Sequence, residues 1–490
     1  MSTPLLCVTV TASSLDELRA RRDQASAVAD LVELRLDGVR DPDVAGALAG
    51  RTVPVIVTCR ARREGGSFGG SEEERVSMLG RAAGLGAEYV DVEWDTRLDE
   101  SLRARHGRGV VLSRHDFTGV PRDLHDRYRA MRATGAEVVK LAVTAHSLSD
   151  NLPLLTLGRE TGEDARTALV AMGAAGLPSR ILAAHFHSCW SYAGDGVAPG
   201  QIPPCRLLGE FRFRAVTAAT RVYGVVGRPI EHSVSPAIHN AAFAETPADA
   251  IYVPLAATSA DDFWEFAIAV GLAGASVTAP FKMDLLARVR EVGDEARRAG
   301  AVNTLKAMPG GWHGDNTDAA GFLRPLDDRG VALRGVRATV VGTGGAARSV
   351  VVALGRRGAS VTVHGRDRAR AERVAELAHE AKPAVGPPRR GDWDLLVNAT
   401  PVGTWPSVGE TPVDASALAG GGIVYDLVYN PERTRLLREA EASGCRCIGG
   451  REMLVAQAAA QFEWWMATPA PRETMRAAAA RRISEMAGAE

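Results

Sequence analysis

The chain has 490 residues, of which 24% are charged, and its formal net charge is -1. This length exceeds one ordinary core, so two or three domains are expected, and the balanced charge favours neither a nucleic-acid nor a membrane surface. No segment is apolar for long enough to span a bilayer, and the N-terminal sequence does not predict a signal peptide. The six cysteines lack metal-ligand spacing, which predicts no metal site and fits the reducing cytoplasm.

The first 216 residues show a repeated strand–helix pattern. Short apolar segments alternate with helical stretches, at residues 5–10, 31–36, 53–59, 88–94, 109–113, 137–143, 167–172 and 180–186. An open doubly wound sheet and a (β/α)8 barrel share this pattern. Ionisable residues near the segment ends favour the barrel, because only a closed sheet brings them to one mouth. They are Glu33, Arg35, Asp37, Arg60, Glu64, Asp91, Glu93, His115 and Asp116, with Lys140 inside the sixth segment and Arg180 opening the eighth.

Lysine is rare in this chain, with only Lys140, Lys282, Lys306 and Lys382 among 58 basic residues. Arginine carries a charge equally well but cannot perform the covalent chemistry of an amine. Lys140 lies in an apolar strand, where an unpaired charge is costly. An amine in apolar, partly cationic surroundings loses its proton readily and can attack a ketone. His115, on the preceding strand, could then remove the proton that the iminium acidifies.

Two arginines extend this hypothesis of Schiff-base chemistry. Arg60 and Arg180 could grip a carboxylate through paired N–H groups. Each feature has a simpler interpretation when taken alone, because a His-Asp pair often forms a turn and a strand arginine often makes a surface ion pair. Their combination favours a catalytic site.

Five ordered motifs of this region resemble the type I 3-dehydroquinate dehydratases. They are RARREGG (60–66), SRHDF (113–117), VVKLAV (138–143), a Met-x7-Arg run from Met172 to Arg180, and APGQ (198–201). The resemblance implies that Lys140 forms the Schiff base and that His115 is the general base. It also implies substrate contacts from Glu33, Arg35, Arg60, Glu64, Arg180 and Gln201. Relatives commonly carry Ser before APGQ, in a loop that closes over the substrate, whereas this chain has Val197 in a loop that looks slightly shortened.

A new domain is expected to begin near residues 219–227, after a short linker. Ser233 or Ser235 could merely cap the helix that Pro236 opens. Farther along, the segments VTAPFK (277–282), AVNTL (301–305) and GDNTD (314–318) supply a Lys, an Asn and an Asp. Such a trio, brought together, can bind a polyol and exchange a proton with it.

The segment RATVVGTGGAARS (337–349) has the form of a dinucleotide-binding turn. An apolar strand precedes it and a helix follows. In this pattern Gly342 makes the tight turn, Gly344 lets the backbone approach a pyrophosphate, and Ala347 allows close helix packing.

The next predicted strand, over residues 360–370, ends in arginines where an NAD site would place an acid. Arg366 and Arg370 would suit a 2′-phosphate, which favours NADP. Asp367 lies between them, so NAD stays open as an alternative.

Residues 222–490 resemble shikimate dehydrogenase, through HSVSP, VTAPFK, AVNTL, GDNTD, GTGGAAR, NATPVG and MLVAQ in family order. The resemblance implies a catalytic dyad of Lys282 and Asp318. The implied substrate contacts are Ser233, Ser235, Thr278, Asn303, Tyr429 and Gln457, and the implied cofactor contacts are Gly342, Gly344, Gly345, Ala346, Arg366, Arg370, Asn398 and Thr400. Two departures concern substrate contacts: many relatives have Asn where Ser276 stands, and the loop before Met453 reads GGRE rather than GLP.

The sequence thus predicts an α/β protein with three parts: a (β/α)8 barrel (1–216), a substrate-binding domain (222–325, completed by helices over 450–490) and a Rossmann-like NADP-binding domain (326–449). Because the product of the first reaction is the substrate of the second, a bifunctional enzyme of the shikimate pathway is expected. It would dehydrate 3-dehydroquinate and reduce 3-dehydroshikimate with NADPH. Small-molecule substrates are expected as partners, nucleic acid and membranes are not, and the oligomeric state stays open. The alternatives are a quinate or shikimate dehydrogenase working oxidatively, perhaps with NAD, and a metabolite-sensing regulator derived from these enzymes.

Overall fold

The computed structural model describes residues 3–98, 100–162, 165–196 and 198–488. These residues form two compact units. One contains the residues up to Arg221 together with Val253–Gly271, and the other contains Val222–Tyr252 and the residues from Leu272 onward. Among the described residues, no helix combines the length and apolarity needed to cross a bilayer.

Eight parallel strands form the sheet of the first unit. In chain order they are β1 (Leu5–Thr11), β2 (Leu31–Arg35), β3 (Val55–Thr58), β4 (Tyr89–Glu93), β5 (Val110–Asp116), β6 (Val138–Thr144), β7 (Thr167–Met172) and β8 (Trp190–Ala193). Their order in the sheet is β7-β6-β5-β4-β3-β2-β1-β8. A parallel bridge between Thr167 and Ser188 joins the two edges just before β8. The predicted barrel is therefore confirmed.

Helices follow the strands of this barrel. They are α1 (Leu15–Ser26), α2 (Val44–Leu48), α3 (Glu72–Gly84), α4 (Glu100–Arg103), α5 (Leu124–Arg132), α6 (Leu152–Thr161), α7 (Leu177–Ile181) and α8 (Pro204–Gly209). The barrel interior is filled by apolar side chains that include Ile56, Val111 and Trp190. This core leaves the polar strand ends to form one face, as in other barrels.

The position predicted for the eighth strand was wrong. Residues 180–186 contribute to α7 and the turns after it, and the strand lies at Trp190–Ala193. Pro178 stands in the first turn of α7, where a missing N–H costs nothing. Ile181 and Phe186 are fully buried, so the segment is as apolar as a strand, and a short apolar run does not distinguish the two structures. Arg180 consequently lies on a helix.

The chain after the barrel forms two further sheets. The first has the order β10-β9-β11-β13-β14-β12 and combines parallel with antiparallel pairs. Its strands are β9 (Arg221–Gly227), β10 (Ala250–Ala256), β11 (Gly274–Val277), β12 (Glu291–Val292), β13 (Thr304–Met308) and β14 (Gly311–Asp315). The associated helices are α9 (Ser235–Ala244), α10 (Ala260–Val270), α11 (Asp294–Ala299) and α12 (Asp318–Asp327).

The last sheet is parallel and has the order β17-β16-β15-β18-β19-β20. Its strands are β15 (Arg337–Val341), β16 (Ser360–Gly365), β17 (Lys382–Val385), β18 (Leu395–Asn398), β19 (Ile423–Asp426) and β20 (Arg446–Ile448). This is the 3-2-1-4-5-6 order of dinucleotide-binding folds. The Rossmann-like prediction is therefore confirmed.

The remaining helices are α13 (Gly345–Arg356), α14 (Arg368–Ala375), α15 (Arg435–Ala442), α16 (Gly450–Met466) and α17 (Arg472–Gly488). Helix α16 packs on α12, and α17 packs on α9. The Trp465 indole donates a hydrogen bond to the Leu305 carbonyl at 2.9 Å. The C-terminal helices thus return to the first of these two sheets, while the domain boundaries given above stay predictions.

Candidate functional sites

A cavity of about 190 Å³ opens at the C-terminal ends of the barrel strands. The structure brings together all eight residues predicted from the barrel motifs, since each of them lines this cavity: Glu33, Arg35, Arg60, Glu64, His115, Lys140, Arg180 and Gln201. Strands β2, β5 and β6 carry Glu33, Arg35, His115 and Lys140, the segment after β3 carries Arg60 and Glu64, Gln201 lies in the loop before α8, and Arg180 comes from α7. Val197, predicted in the closing loop, lies outside the described residues.

The surroundings of Lys140 differ from the apolar and cationic ones expected from sequence. Its Nζ lies 3.1 Å from Asp91 Oδ2 and 3.6 Å from Glu33 Oε1. The Tyr192 ring lies beneath it, 4.2 Å from Nζ to the ring centroid. Two carboxylates therefore compensate the buried charge of Lys140. Together with the Tyr192 ring, they hold the amine at the cavity wall.

A buried network of ion pairs supports this arrangement. Arg60 contacts Asp91 at 2.9 Å and Glu93 at 3.1 Å, and it donates to the Ser113 hydroxyl at 2.8 Å. Although burial alone would raise the pKa of Asp91, the Arg60 guanidinium and the Lys140 ammonium hold it well below its ordinary value. Arg60 is thus occupied by the protein, although the sequence suggested that it grips a substrate carboxylate.

Sequence reasoning overlooked Asp91, Ser113 and Tyr192 as neighbours of the lysine, and Glu93 as a partner of Arg60. A signal existed for the two acids. Alternate residues of a strand face the same side, so Asp91 and Glu93 on β4 were bound to point inward together.

Arg180 is a buried cation of this cavity that has no acidic partner within the described ranges. Its side chain is buried, and its terminal nitrogens donate only long hydrogen bonds to the carbonyls of Tyr192 and Pro199, at 3.3 and 3.4 Å. Its Nε has no hydrogen-bond partner among the described residues. Burial lowers its pKa to about 10, which still leaves it charged at neutral pH. An anionic ligand group would complete its coordination.

Arg35 and Gln201 stand at the rim of the same cavity. Arg35 makes a two-pronged ion pair with Asp37, at 2.8 and 2.9 Å. The Gln201 amide donates to Thr9 Oγ1 at 3.4 Å and accepts from the Ala198 N–H at 3.1 Å. Both side chains are therefore oriented before any ligand binds.

Glu64 orients the candidate base. Its Oε2 lies 2.8 Å from His115 Nδ1 and also accepts from the His115 backbone N–H at 3.3 Å. Burial raises the pKa of Glu64 to about 7, although Arg60 opposes this. Burial and the nearby Arg60 and Lys140 cations hold the pKa of His115 well below its ordinary value, so the ring is neutral. A neutral ring that donates from Nδ1 keeps Nε2 available to take a proton.

The second site is a cavity of about 350 Å³. It is lined by all the residues predicted as the dyad and its substrate contacts: Lys282, Asp318, Ser233, Ser235, Thr278, Asn303, Tyr429 and Gln457. Ser233 Oγ accepts a hydrogen bond from the backbone N–H of Ser235, the first residue of α9, at 3.3 Å. The simpler interpretation of a serine that holds the start of this helix therefore stays open for Ser233, which also lines the cavity. Ala346 of the glycine-rich turn also lines this cavity.

Lys282 and Asp318 form a direct, short ion pair at this cavity. Asn303 Nδ2 donates to the other oxygen of Asp318 at 2.7 Å and to Gln457 Oε1 at 3.3 Å. Asp318 begins α12, where an acid interacts favourably with the helix dipole. The amine, the carboxylate and the amide are therefore held together before a substrate binds.

Three further residues near this cavity were not predicted as contacts from sequence. Ser276 and Gln461 line it, and the Tyr252 hydroxyl donates to Ser276 Oγ at 2.6 Å. Gln461 follows Gln457 by four residues on α16, which places both on one helix face. That spacing was a usable signal for Gln461, whereas Tyr252 carried none.

The glycine-rich turn has the shape that a dinucleotide requires. Gly342 has a φ of 125°, which disfavours other residues. A Cβ added at Gly344 would meet no atom within 4 Å, so open space lies before the N-terminus of α13. Backbone N–H groups there can bind a phosphate.

The predicted ribose-binding arginines follow β16. Asp367 caps α14, because its side chain accepts from the Arg370 N–H at 3.2 Å. Arg370 is exposed and lies 3.7 Å from the Asp367 carboxylate. The acid that complicated the choice of cofactor therefore has a structural role.

The other two predicted cofactor residues form the loop after β18. Thr400 donates through its hydroxyl to Asn398 Oδ1 at 2.7 Å, and Asn398 donates to Asp426 at 2.9 Å. A Cβ added at Gly342 would lie 3.2 Å from Thr400 Cγ2. This loop therefore borders the glycine-rich turn.

Comparison with known proteins agrees with both sites. The model of the type I 3-dehydroquinase family matches residues 6–214, the shikimate dehydrogenase substrate binding domain matches 225–305, and the shikimate 5′-dehydrogenase C-terminal domain matches 450–480. A chloroplastic bifunctional 3-dehydroquinate dehydratase/shikimate dehydrogenase of Arabidopsis thaliana is 33% identical over 510 residues, which cover 96% of this chain and 83% of the relative. The chain belongs to this bifunctional family. The resemblance stated from the motifs is confirmed.

The dehydrogenase half has further relatives. A shikimate dehydrogenase (NADP(+)) of Methanopyrus kandleri is 42% identical and covers 54% of this chain and 96% of its own length. A shikimate dehydrogenase of Thermus thermophilus, solved with NADP(H) and shikimate, has a TM-score of 0.50 and 36% identity, covering 54% of this chain and 99% of that one. Another, solved with NADP+, has a TM-score of 0.52 and 32% identity, covering 55% and 97%.

The dehydratase should lose activity as the pH falls through about 7, the pKa of Glu64. Above that pH the Glu64 carboxylate accepts a hydrogen bond from the Nδ1–H of His115. Below it Glu64 is protonated and no longer accepts this bond. The measurement is kcat/KM for dehydration against pH. In Glu64→Gln the limb near pH 7 should vanish, because His115 itself titrates at lower pH. A limb that persists in this variant would assign it to another group.

The dehydrogenase should depend on the absence of a side chain at Gly345. A Cβ added there would lie 2.8 Å from Lys282 Cδ, so the lysine side chain must shift, which disturbs its pair with Asp318. We expect Gly345→Ala to lower the dehydrogenase kcat roughly ten- to hundredfold. Gly344→Ala is the comparison, because its Cβ meets nothing, and at saturating cofactor its kcat should stay near that of the wild type. Equal kcat losses in the two variants would contradict the contact with Lys282.

Proposed function

We propose that the barrel dehydrates 3-dehydroquinate through an imine on Lys140. The amine attacks the substrate ketone and water leaves, giving an iminium that acidifies the neighbouring carbon. His115 takes the proton from that carbon, the substrate hydroxyl leaves as water, and hydrolysis of the imine releases 3-dehydroshikimate and restores the lysine. The observation that carries this proposal is one buried lysine beside one neutral, Glu64-oriented histidine in the same cavity.

The charges around Lys140 suit a cationic intermediate. An iminium has the same charge as the ammonium it replaces, so the carboxylates of Asp91 and Glu33 stay compensated. Arg180, which makes no ion pair with the acids of the described segments, would bind the carboxylate of the substrate. Arg60 would act mainly through Asp91 and Glu93, with Arg35, Glu64 and Gln201 at the cavity wall.

Borohydride added with dehydroquinate should trap a covalent adduct on Lys140, because reduction converts the imine into a stable amine. Lys140→Ala should lose dehydratase activity and trapping, yet still reduce 3-dehydroshikimate, since the dyad belongs to the other unit. Mass spectrometry of the reduced protein identifies the modified residue. An adduct on another lysine, or full dehydratase activity in Lys140→Ala, would refute the assignment.

The second reaction proposed is the reduction of 3-dehydroshikimate to shikimate with NADPH. When bound, the cofactor supplies a hydride. The Gly342–Ala346 turn and the N-terminus of α13 would hold its pyrophosphate, with Asn398 and Thr400 beside the turn. Lys282 and Asp318 would deliver a proton to the new hydroxyl, while Asn303, Gln457, Ser233, Ser235, Thr278 and Tyr429 would hold the substrate.

Arg366 and Arg370 would select NADPH through the 2′-phosphate, because Asp367 is occupied as a helix cap. We expect Arg366→Ala combined with Arg370→Ala to raise KM for NADPH strongly and to leave KM for NADH nearly unchanged. Steady-state kinetics with both cofactors measure this. Equal losses for the two cofactors would mean that the arginines are structural, and a wild-type preference for NADH would make Asp367 the residue that contacts the ribose.

A reducing compartment such as the cytoplasm suits this enzyme. All six cysteines are free in the described chain, as expected where thiols stay reduced. The substrates and the cofactor proposed above are small, diffusible molecules.

A further inference from the structure

A chain of side-chain hydrogen bonds runs from the core of the second unit to the Lys282–Asp318 pair. Tyr252 donates to Ser276 at 2.6 Å, Ser276 to Gln461 Oε1 at 2.7 Å, Gln461 Nε2 to Thr304 Oγ1 at 2.9 Å, Thr304 to Asn303 Oδ1 at 2.7 Å, and Asn303 Nδ2 to Asp318 Oδ1 at 2.7 Å. All six residues are buried, and none is more than 7% exposed. We refer to these six residues as the relay.

Two backbone groups fix the direction of every bond in the relay. Gln461 Nε2 also faces the Asn303 carbonyl, at 3.0 Å, and a carbonyl can only accept. The amide oxygen of Gln461 must therefore face Ser276, which has to donate. At the other end, Asn303 Oδ1 accepts from the Thr317 N–H at 2.8 Å, so its Nδ2 must face Asp318.

The start of the relay is held as firmly as its end. Asn240 clamps the Tyr252 backbone through two hydrogen bonds of 2.8 Å, and the His239 ring stacks on the phenol at 4.4 Å. Burial raises the pKa of Tyr252 well above its ordinary value. The phenol therefore keeps its proton and acts as the donor.

The hydroxyls of Ser276 and Thr304 each accept from one neighbour and donate to the next, so all the donors point towards Asp318. Hydrogen bonds arranged in this way polarise one another and strengthen the last member. The last member is the Asn303 amide, whose Nδ2 contacts the oxygen of Asp318 that Lys282 does not.

We propose that Tyr252, Ser276, Gln461 and Thr304 are positioning residues of the dehydrogenase, which aim the Asn303 amide at Asp318 and so set the Lys282–Asp318 pair for proton transfer. This inference rests on the proposed role of that pair. It explains what Ser276 does at a position where many relatives have Asn, because its hydroxyl both accepts and donates and so joins Tyr252 to Gln461. It also makes Gln461 a support of the cavity wall, since both of its N–H groups are spent on the protein.

The test compares variants that differ by one hydroxyl. Ser276→Thr keeps the hydroxyl and Ser276→Val replaces it with a methyl group of the same shape. We expect Ser276→Val and Tyr252→Phe to lower the dehydrogenase kcat roughly three- to tenfold, with KM for 3-dehydroshikimate nearly unchanged. Ser276→Thr should keep most of the activity. Tyr425→Phe is the control, because that phenol is equally buried and its hydroxyl has no partner among the described residues.

A double-mutant cycle separates a relay from independent contacts. Once Ser276→Val has broken the relay, adding Tyr252→Phe should cost little more, since residues that act as a unit are not additive. Losses that multiply, equal losses in Ser276→Thr and Ser276→Val, or an unchanged kcat in Tyr252→Phe would overturn the proposal. Lys282→Met and Asp318→Asn distinguish a failure of the proposed dyad from a failure of the relay. If they keep dehydrogenase activity, the proposed dyad fails; if they lose it while Tyr252→Phe does not, only the relay fails.

Discussion

The barrel site depends on the compensation of buried cations. Arg60, Lys140 and Arg75, an α3 residue that contacts Glu93 at 2.6 Å, are all at least 95% buried, and Glu33, Asp91 and Glu93 are buried among them. Removing one partner from such a pair typically costs about 3–5 kcal/mol, because the other charge is left without compensation. The network therefore permits very few positions of the lysine. Burying these charges costs desolvation free energy, but the ion pairs hold the Lys140 amine in one place at the cavity wall.

Arg180 shows the same constraint from the opposite side. It is as buried as Arg60, but in the part of the chain that the structure describes its terminal nitrogens donate only to backbone carbonyls, at 3.3 and 3.4 Å. A buried cation in this state can bind an anionic group of a ligand, which would supply the missing negative charge. In the proposed function, the cations that are paired with acids would hold Lys140 in place, and Arg180 would bind the substrate.

Most of the fold and the principal residues of both sites were predictable from sequence, for identifiable reasons. Lys140 and Lys282 stood out because lysine is so rare, and the alternation of apolar and helical segments indicated eight strands. The eighth strand was misplaced because Ile181 and Phe186 are as apolar as any strand residue, and burial alone does not specify a conformation. The acids around Lys140 were seen as separate strand ends, since sequence does not give the distances between strands. Ser276 lies 24 positions after Tyr252 and 185 positions before Gln461, and only tertiary structure brings such residues into one hydrogen-bond chain.

The dehydrogenase half handles its reactive lysine differently. A neutral relay orients Asn303, and Asn303 orients the acid that pairs with Lys282. The stem of the same lysine lies against Gly345 of the glycine-rich turn. The position of Lys282 is therefore limited in two ways. Asp318, which the relay orients, holds its amine, and the backbone of the turn lies against its methylene groups. Because the turn also forms the start of α13, any movement of the backbone on cofactor binding would be transmitted to the lysine through direct contact. The position of Lys282 and the position of the glycine-rich turn therefore depend on each other. Glycine at position 345 leaves room for the lysine side chain beside the turn.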